Sequence, residues 1–295
     1  MIKKHQFITF LSILSMAFSG GAVTAQDNAS ILEFNPAQRN QSIPIPVNPP
    51  EIRSITPNIC TPELNASIQQ IIDAYGGGWG ILVESLETGE TIYHYNADRG
   101  FIPASNTKIL TTAAALQRMD PNANFSGNTS VREWINVVNL RSNNYYADTL
   151  LRRVGGSTTA KQILAQMGVN PSTFHFADGS GLSRNNVATP RAIVQTLRVM
   201  YNDRHRDVFL ASLPTAGVSG TLTNRMRQTP VQGIVRAKTG TLRGVRALSG
   251  YLDHKDHGTL IFSIMANHPS NVGTNLVGAI DQMLIRINMA GPCRS

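Results

Sequence analysis

Apolar residues recur at helical spacing near both ends of the chain. The first such stretch follows Thr61-Pro62-Glu63, which combines an N-cap, a first-turn proline and a first-turn acid, and a glycine run at residues 76–78 ends it. The second is the apolar stripe from Leu276 to Ile287. A third helix, rich in alanine and leucine, is predicted over Ser105–Arg118.

Five short segments have the composition of strands, two before and three after a mainly helical middle. They are Ile81–Leu86, Thr91–Tyr95, Gly233–Ala237, Ala247–Leu252 and Thr259–Met265. The order of elements predicts that strands from both ends of the chain pair into one sheet, with the terminal helices packed together on one face. We therefore expect an α/β (α+β) fold with a central antiparallel sheet of about five strands, flanked by helices and joined to an all-helical subdomain.

The first residues are typical of a secretory signal peptide. Lys3 and Lys4 form a basic start, Phe7–Phe18 is mostly apolar, and small residues precede Gln26, so we expect residues 1–25 to be cleaved off after Ala25. An uncleaved anchor is the alternative, although the apolar run is short for a spanning helix. The protein is expected to be secreted across the cytoplasmic membrane, into a periplasm or cell-wall space, and to meet the membrane only through this signal.

The rest of the chain divides into a linker and one domain. Residues 26–57 are rich in proline and show little periodic hydrophobicity, which indicates an extended linker or tail. Residues 58–295 are long enough for one substantial core, and we predict a sheet lobe from 58–100 and 230–295 and a helical lobe from 101–229.

Charge and cysteine content narrow the possible partners and the compartment. The net charge of +8 falls to +6 without residues 1–25, which contain Lys3 and Lys4 but no acid. Secretion and the lack of a dense basic run argue against nucleic acid, and an anionic cell wall or a carboxylate-bearing peptide suits the charge better. The two cysteines, Cys60 and Cys293, bracket the domain, so we expect a disulfide between them, with two unpaired thiols as the alternative.

A serine and a lysine stand three residues apart in Ser105-Asn-Thr-Lys108. At helical spacing both side chains lie on one face, so that the lysine amine can accept the proton of the serine hydroxyl. By chance, a serine and a lysine stand three residues apart about once in a few hundred residues, so the pair alone is a weak signal. However, the chain has only six lysines, and another of them, Lys238, begins Lys238-Thr-Gly240, the companion motif of active-site-serine penicillin-interacting enzymes.

The third motif of such a site, Ser-x-Asn, occurs at Ser126, Ser142 and Ser183. We choose Ser142, because Asn144 is followed by a predicted helix that can hold the motif rigidly, whereas Ser126 lies in a polar loop. The polar run Asp253–His257 falls on a predicted strand connection, where polar residues are expected, and we assign it no metal. No cofactor is expected.

With these motifs the chain resembles the D-alanyl-D-alanine carboxypeptidase/endopeptidase family of low-molecular-mass penicillin-binding proteins. Five blocks occur in the family's order, namely residues 103–108, 141–148, 178–184, 216–222 and 236–242. The resemblance implies a β-lactamase/transpeptidase-like fold with the site between sheet and helical lobe. Lys108 and Ser142 are only 34 positions apart, so the accessory domains inserted there in similar proteins are missing.

The resemblance implies a role for each residue of the motifs. Ser105 would attack the carbonyl of a terminal D-Ala-D-Ala peptide while Lys108, with its pKa lowered by burial and by the ammonium of Lys238, takes the proton. Ser142 would relay a proton to the leaving amine. The other expected roles are substrate binding by Asn144, Thr239, Gly240 and Thr241, an oxyanion hole from the backbone N–H groups of Ser105 and Thr241, and weaker candidates for the substrate carboxylate in Arg243 or Arg246.

Three functions are compatible with these residues. The first is an exported serine D,D-peptidase, a carboxypeptidase or endopeptidase acting on peptidoglycan stem peptides and inhibited covalently by β-lactam antibiotics. The second is a serine β-lactamase, although class A enzymes deacylate with a glutamate between Ser-x-Asn and Lys-Thr-Gly, and the last glutamate here is Glu133. The third is a catalytically idle domain that binds cell-wall peptides. The intact set of proton-transfer groups argues against it, because an inactive domain has no need to retain them.

Overall fold

The computed structural model describes residues 61–268 and 275–291. The expected signal peptide, the linker, Cys60 and Cys293 lie outside these ranges, so cleavage and the disulfide stay predictions. The helices are α1 (Thr61–Tyr75), α2 (Thr107–Arg118), α3 (Val131–Leu140), α4 (Asn144–Val154), α5 (Gly156–Gln166), α6 (Pro190–Tyr201), α7 (Arg206–Ser212) and α8 (Leu276–Met289). None of the helices in the described ranges is long and apolar enough to cross a membrane.

Strands from both ends of the chain form one five-stranded antiparallel sheet, as the order of elements predicts. The strands are β1 (Gly78–Ser85), β2 (Thr91–Tyr95), β3 (Asn124–Ser126), β4 (Thr129–Ser130), β5 (Phe174–His175), β6 (Val187–Ala188), β7 (Val235–Leu242), β8 (Val245–His254) and β9 (Gly258–Asn267). The sheet has the order β2-β1-β9-β8-β7, and β3–β4 and β5–β6 form two small hairpin-like pairs. The predicted fold class is confirmed.

The sheet separates two hydrophobic cores, because successive side chains of a strand point to opposite faces. On β9, Ile261 and Met265 pack into the core shared with the middle helices, whereas Phe262 and Ile264 pack against α1 and α8. The terminal helices contact each other on that second face, as expected.

Helix α2 lies inside the helical lobe, and its residues from Thr107 to Leu116 are all buried. It contacts α3, α4, α5 and α6, so its first turn is held in a fixed position facing the sheet. Lys108, in that first turn, is completely buried. The residues around Ser105 are thus placed where the two lobes meet.

Most element boundaries differ from the predictions by a few residues, and two of the differences bear on the site. Ser105 does not open α2 but lies in a 3₁₀ turn, Ala104–Asn106, because Ala104 adopts a left-handed backbone with φ of +47° that an α-helix cannot include. Strand β7 runs on to Leu242 instead of ending at Ala237, since Lys238, Thr239 and Gly240 all pair with β8. Sheet pairing overrides the weak strand propensity of this stretch.

Candidate active site

The 3₁₀ turn that carries Ser105 is fastened to the sheet through its neighbour Asn106. The Asn106 side chain donates to Ser249 Oγ at 2.7 Å, and Ser249 in turn donates to Ser263 Oγ at 2.9 Å, all three residues being fully buried. Buried polar chains of this kind hold their members in one arrangement because each lost bond is costly. Asn106 thereby fixes the position of the preceding serine relative to β8 and β9.

Lys108 Nζ reaches three oxygen atoms. They are Ser105 Oγ at 2.9 Å, Asn144 Oδ1 at 2.8 Å and the main-chain oxygen of Ser180 at 2.5 Å. Two of these partners, the side-chain amide oxygen and the carbonyl oxygen, can only accept hydrogen bonds. A neutral amine must therefore give its two hydrogens to Asn144 and Ser180, which leaves its lone pair directed at the Ser105 hydroxyl.

Burial lowers the pKa of Lys108 to about 8, against the opposing charges of Asp148 and Asp178, which raise it. Burial also lowers the pKa of Lys238 well below its usual value, and the charge of Lys108 lowers it further. Burial acts on Lys108 in the expected direction. The two ammonium groups repel each other, so a charge on Lys108 disfavours the charged form of Lys238.

Ser142 and Asn144 lie at the junction of two helices. Helix α3 ends at Leu140, Ser142 adopts a left-handed backbone with φ of +53°, and Asn143 caps α4 by accepting from Tyr146 N–H. The Asn144 side chain begins α4 and reaches Lys108. Neither rival motif is comparable, since Ser126 is exposed on β3 and Ser183 belongs to the loop at 178–186.

Lys238 crosses from β7 to the helical lobe. Its Nζ lies 2.8 Å from Ser142 Oγ and 3.0 Å from the main-chain oxygen of Thr239. The side chain is completely buried. The three motifs therefore form two lysine–serine pairs, Lys108 with Ser105 and Lys238 with Ser142, and both serines line one cleft.

The cleft between the lobes has a volume of about 400 Å³, and hydroxyl and amide groups line much of it. These groups belong to Ser105, Ser142, Asn144, Thr221, Thr239 and Thr241. Thr221 and Thr239 share a hydrogen bond of 2.8 Å between their hydroxyls. In the described ranges, no three His, Cys, Asp or Glu side chains are grouped as metal ligands.

Gly240 has a packing reason to be glycine. A Cβ atom there would lie 2.7 Å from the main-chain oxygen of Pro103 and 3.0 Å from Ala247 Cβ. The glycine thus lets β7 approach the turn that precedes Ser105. Its expected contact with a substrate backbone stays a prediction.

A loop after β5 forms another wall of the site, and its organising residue is Asp178. This carboxylate accepts from the backbone N–H groups of Ser180, Gly181 and Ser183 and from the side chain of Asn186. The loop is thereby folded so that the Ser180 carbonyl meets Lys108. The sequence analysis missed the Ser180 carbonyl, because a backbone atom leaves no trace in residue type.

Gly181 is the point at which this loop touches the turn before Ser105. Its φ is +82°, and a Cβ atom would lie 1.8 Å from the main-chain oxygen of Ala104. We expect Gly181→Ala to displace this turn and to reduce acylation of Ser105 by a penicillin about 100-fold, since small misplacements of reacting groups have effects of that size. Stopped-flow or fluorescence labelling measures the rate.

Gly156→Ala is the matched control for this prediction. Gly156 has nearly the same φ, +83°, but no atom lies within 4 Å of its added Cβ. Both substitutions place an alanine at nearly the same positive φ and cause similar backbone strain, so the variants differ in the steric clash between the new Cβ and Ala104. Equal labelling rates in the two variants would show that the contact between Gly181 and Ala104 does not position the nucleophile.

The two arginines expected near the substrate carboxylate, Arg243 and Arg246, do not line the cleft. Arg246 Nη1 donates to the main-chain oxygens of Leu242 and Val245 at 2.7 and 2.8 Å, and Arg243 is exposed at the β7–β8 turn. Neither side chain lines the cleft, whereas Arg225 does. The sequence analysis missed Arg225 because this residue lies three positions beyond the fourth block. Its side chain is held by an ion pair with Asp281 of α8, a contact that no local pattern reveals.

A sheet with a helical lobe beside it, and the three motifs meeting between them, define a protein of the β-lactamase/transpeptidase-like class. Two solved structures share this fold: penicillin binding protein 4 from Haemophilus influenzae, complexed with a β-lactam (TM-score 0.64, 14% identity, 75% of this chain and 98% of that chain covered), and a β-lactamase from Chitinophaga pinensis (TM-score 0.66, 19% identity, 77% and 99% covered). At these identities the likeness concerns the fold alone.

The chain belongs to the D-Ala-D-Ala carboxypeptidase 3 (S13) family, whose model matches residues 61–134 and 129–287. A penicillin-sensitive carboxypeptidase A from Dictyostelium discoideum is 35% identical over 173 residues, covering 52% of this chain and 33% of the relative. A D-alanyl-D-alanine carboxypeptidase from Actinomadura sp. is 39% identical over 142 residues, covering 43% and 26%. The matched parts are thus a third or less of these relatives' length. The resemblance inferred from the five blocks is confirmed.

Proposed function

We propose that the protein is a serine D,D-peptidase that cleaves the bond between the last two residues of D-Ala-D-Ala stem peptides through an acyl-enzyme on Ser105. The observation that carries this proposal is the set of contacts around Lys108. Two obligate acceptors turn its lone pair toward Ser105 Oγ, 2.9 Å away, and burial brings its pKa close to neutrality. Family membership supports the same activity.

Acylation begins when the Ser105 hydroxyl oxygen bonds to the carbonyl carbon of the scissile peptide and its proton passes to Lys108. The resulting oxyanion would receive hydrogen bonds from the backbone N–H groups of Ser105 and Thr241, both of which border the cleft. The carbon–nitrogen bond then breaks. The leaving amine takes a proton from Ser142, and Ser142 takes one from the neighbouring Lys238 at 2.8 Å. The proton that Lys108 gained then replaces the one lost by Lys238, so that Lys108 is neutral again before water enters.

Deacylation consumes one water molecule. Its oxygen attacks the ester carbon while its proton passes to the neutral amine of Lys108, and the ester bond breaks as Lys108 gives that proton to Ser105 Oγ, which releases the shortened peptide and regenerates the Ser105 hydroxyl. Asn144 holds Lys108 through both steps and borders the cleft, so it is placed to contact the substrate amide as well.

The proposed substrates and setting follow from this chemistry. Peptidoglycan stem peptides are the source of D-Ala-D-Ala, and β-lactam antibiotics are the covalent inhibitors. We propose that the protein works outside the cytoplasm, in a periplasm or cell-wall space, after loss of residues 1–25. There Cys60 and Cys293 can form their disulfide.

The test of the proposed function is release of D-alanine from a stem pentapeptide. We expect the wild-type protein to release D-alanine and Ser105→Ala to release none, because no other serine in the described ranges contacts Lys108 through its side chain. Ser126→Ala, on the exposed hairpin, is the control and keeps wild-type activity. Equal release by wild type and Ser105→Ala would end the claim that Ser105 is the nucleophile.

A further inference from the structure

Three buried polar residues form a chain that runs from the turn carrying Ser105 across the sheet. The Asn106 side chain donates to Ser249 Oγ at 2.7 Å, and Ser249 donates to Ser263 Oγ at 2.9 Å. Ser249 lies in the middle of β8 and Ser263 in the middle of β9, and all three side chains are fully buried. None of the three lines the cleft, so the chain acts on the site only through the residues that it holds.

The register of the sheet connects this chain to the second lysine–serine pair. Ser249 is the cross-strand partner of Lys238 on β7 and of Ser263 on β9. Directly opposite residues of antiparallel strands share a face of the sheet, with their Cβ atoms about 5 Å apart. From this row Lys238 extends to Ser142 Oγ, 2.8 Å from its Nζ. One row of the sheet therefore carries the lysine of one pair and, through Asn106, supports the turn with the nucleophile of the other.

The separation of the two pairs matters for the proposed reaction, because a proton has to move between them. The proton that Lys108 takes from Ser105 replaces the one that Lys238 gives up through Ser142. The charge of Lys108 lowers the pKa of Lys238, so the two amines interact. Proton transfer needs groups within hydrogen-bond reach of each other or of a shared group. A displacement of the turn relative to β7 would therefore slow the reaction, although every reacting group would still be present.

We propose that Ser249 is a positioning residue that fixes the distance between the two lysine–serine pairs, through the hydrogen bond that it accepts from Asn106. This inference rests on the proposed peptidase function and adds to it a residue that lies outside the cleft. Ser263 supports Ser249 by accepting its hydroxyl hydrogen. The competing explanation is that the chain only stabilises the packing of the helical lobe on the sheet.

Ser249→Ala removes the acceptor of this bond and leaves both lysine–serine pairs intact. We expect kcat for release of D-alanine from a stem pentapeptide to fall about 10–100-fold, the range for small misplacements of reacting groups, while KM changes less than about 2-fold. The rate of penicillin labelling, measured for the fraction of protein that is finally labelled, should fall by a similar factor. Unfolded protein does not enter this rate, so a purely structural role would leave it unchanged.

Ser212→Ala is the matched control, because Ser212 belongs to a second buried pair of the same composition. Asn139 donates to Ser212 Oγ at 2.9 Å inside the helical lobe, and both residues are fully buried. The Oδ1 atoms of Asn139 and Asn106 both lack a hydrogen-bond partner among the described residues. The two serine variants therefore lose the same kind of bond and should be destabilised similarly in thermal unfolding, whereas only Ser249→Ala should slow the reaction.

Asn106→Ala breaks the same bond from the other side, so it tests the proposal independently of how well Ser249→Ala folds. It should slow the reaction by a similar factor. The double variant should be no slower than the slower single variant, because the bond can be lost only once. Rate losses that multiply in the double variant, or a rate per labelled molecule in Ser249→Ala equal to that of Ser212→Ala, would overturn the positioning role.

Failure of the proposed function would give a different result. Wild-type protein that neither releases D-alanine nor forms an adduct with penicillin would disprove the peptidase itself, and the role of Ser249 would fall with it. Active wild-type protein, together with a wild-type rate per labelled molecule in both Ser249→Ala and Asn106→Ala, would disprove only the positioning role.

Discussion

Incubation with a penicillin is expected to leave a long-lived penicilloyl ester on Ser105. The groups proposed to carry out acylation, the Ser105–Lys108 pair and the Ser142–Lys238 pair, are in place at the cleft. Rapid hydrolysis of the ester in class A β-lactamases needs a glutamate after Ser-x-Asn, and this sequence has no glutamate after Glu133. Without that additional base, only Lys108 is left to activate water, and deacylation of the penicilloyl ester should be about 10²–10⁴-fold slower than in those enzymes.

No carboxylate is among the described residues that line the cleft, so none takes the place of that base. The nearby Asp178 accepts four hydrogen bonds within its own loop, and Asp148 accepts from the backbone N–H of Gly179. Glu133 is exposed and forms a capping box with Ser130 at the start of α3.

Intact-protein mass spectrometry measures this prediction directly. The wild-type mass should increase by one penicillin molecule, peptide mapping should place the addition on Ser105, and Ser105→Ala should show no increase. Ser126→Ala should be labelled like wild type. Fast disappearance of penicillin without a labelled protein would contradict the prediction and identify a β-lactamase.

The rate of acylation should rise with pH through an inflection near 8. Below the pKa of Lys108, about 8, the amine is protonated and has no lone pair for the Ser105 proton, whereas above it the neutral amine is the base. Lys108→Gln should remove the inflection and lower the rate about 10²–10⁴-fold, the usual contribution of a general base. Penicillin labelling at a series of pH values measures both effects.

Lys255→Gln is the control for this variant, since the Lys255 side chain is 80% exposed at the β8–β9 turn. It should keep both the rate and the inflection. Thermal unfolding of all three proteins establishes that Lys108→Gln is folded at the temperature of the assay. A folded Lys108→Gln with the wild-type pH profile would show that another group accepts the proton.

Local pattern was enough to predict much of the fold. The alternation and spacing of apolar residues located α1, α2, α8 and the five strands of the main sheet, because each of these elements buries one face or one stripe. Boundaries were less well predicted. The 3₁₀ turn at Ser105 and the extension of β7 depend on contacts with β8 and with the rest of the helical lobe, which no window of sequence contains.

The site divides in the same way between local and long-range information. Residue types at short spacing singled out Ser105, Lys108, Ser142, Asn144 and Lys238, since proton transfer restricts which side chains can serve. The Ser180 carbonyl is a backbone atom, and Arg225 draws its position from Asp281, 56 residues away. Neither feature has a local pattern by which it can be found.

By itself, the sequence of this protein determined the family, the fold class and the pairing of Ser105 with Lys108. Only the tertiary structure decided that Lys238 meets Ser142, which way the lone pair of Lys108 points and which arginine enters the cleft. The physical reason is that reactive groups need particular residue types, which are visible in sequence. Their direction, their burial and the pKa values that follow are set by carbonyls and charges that packing brings from distant positions.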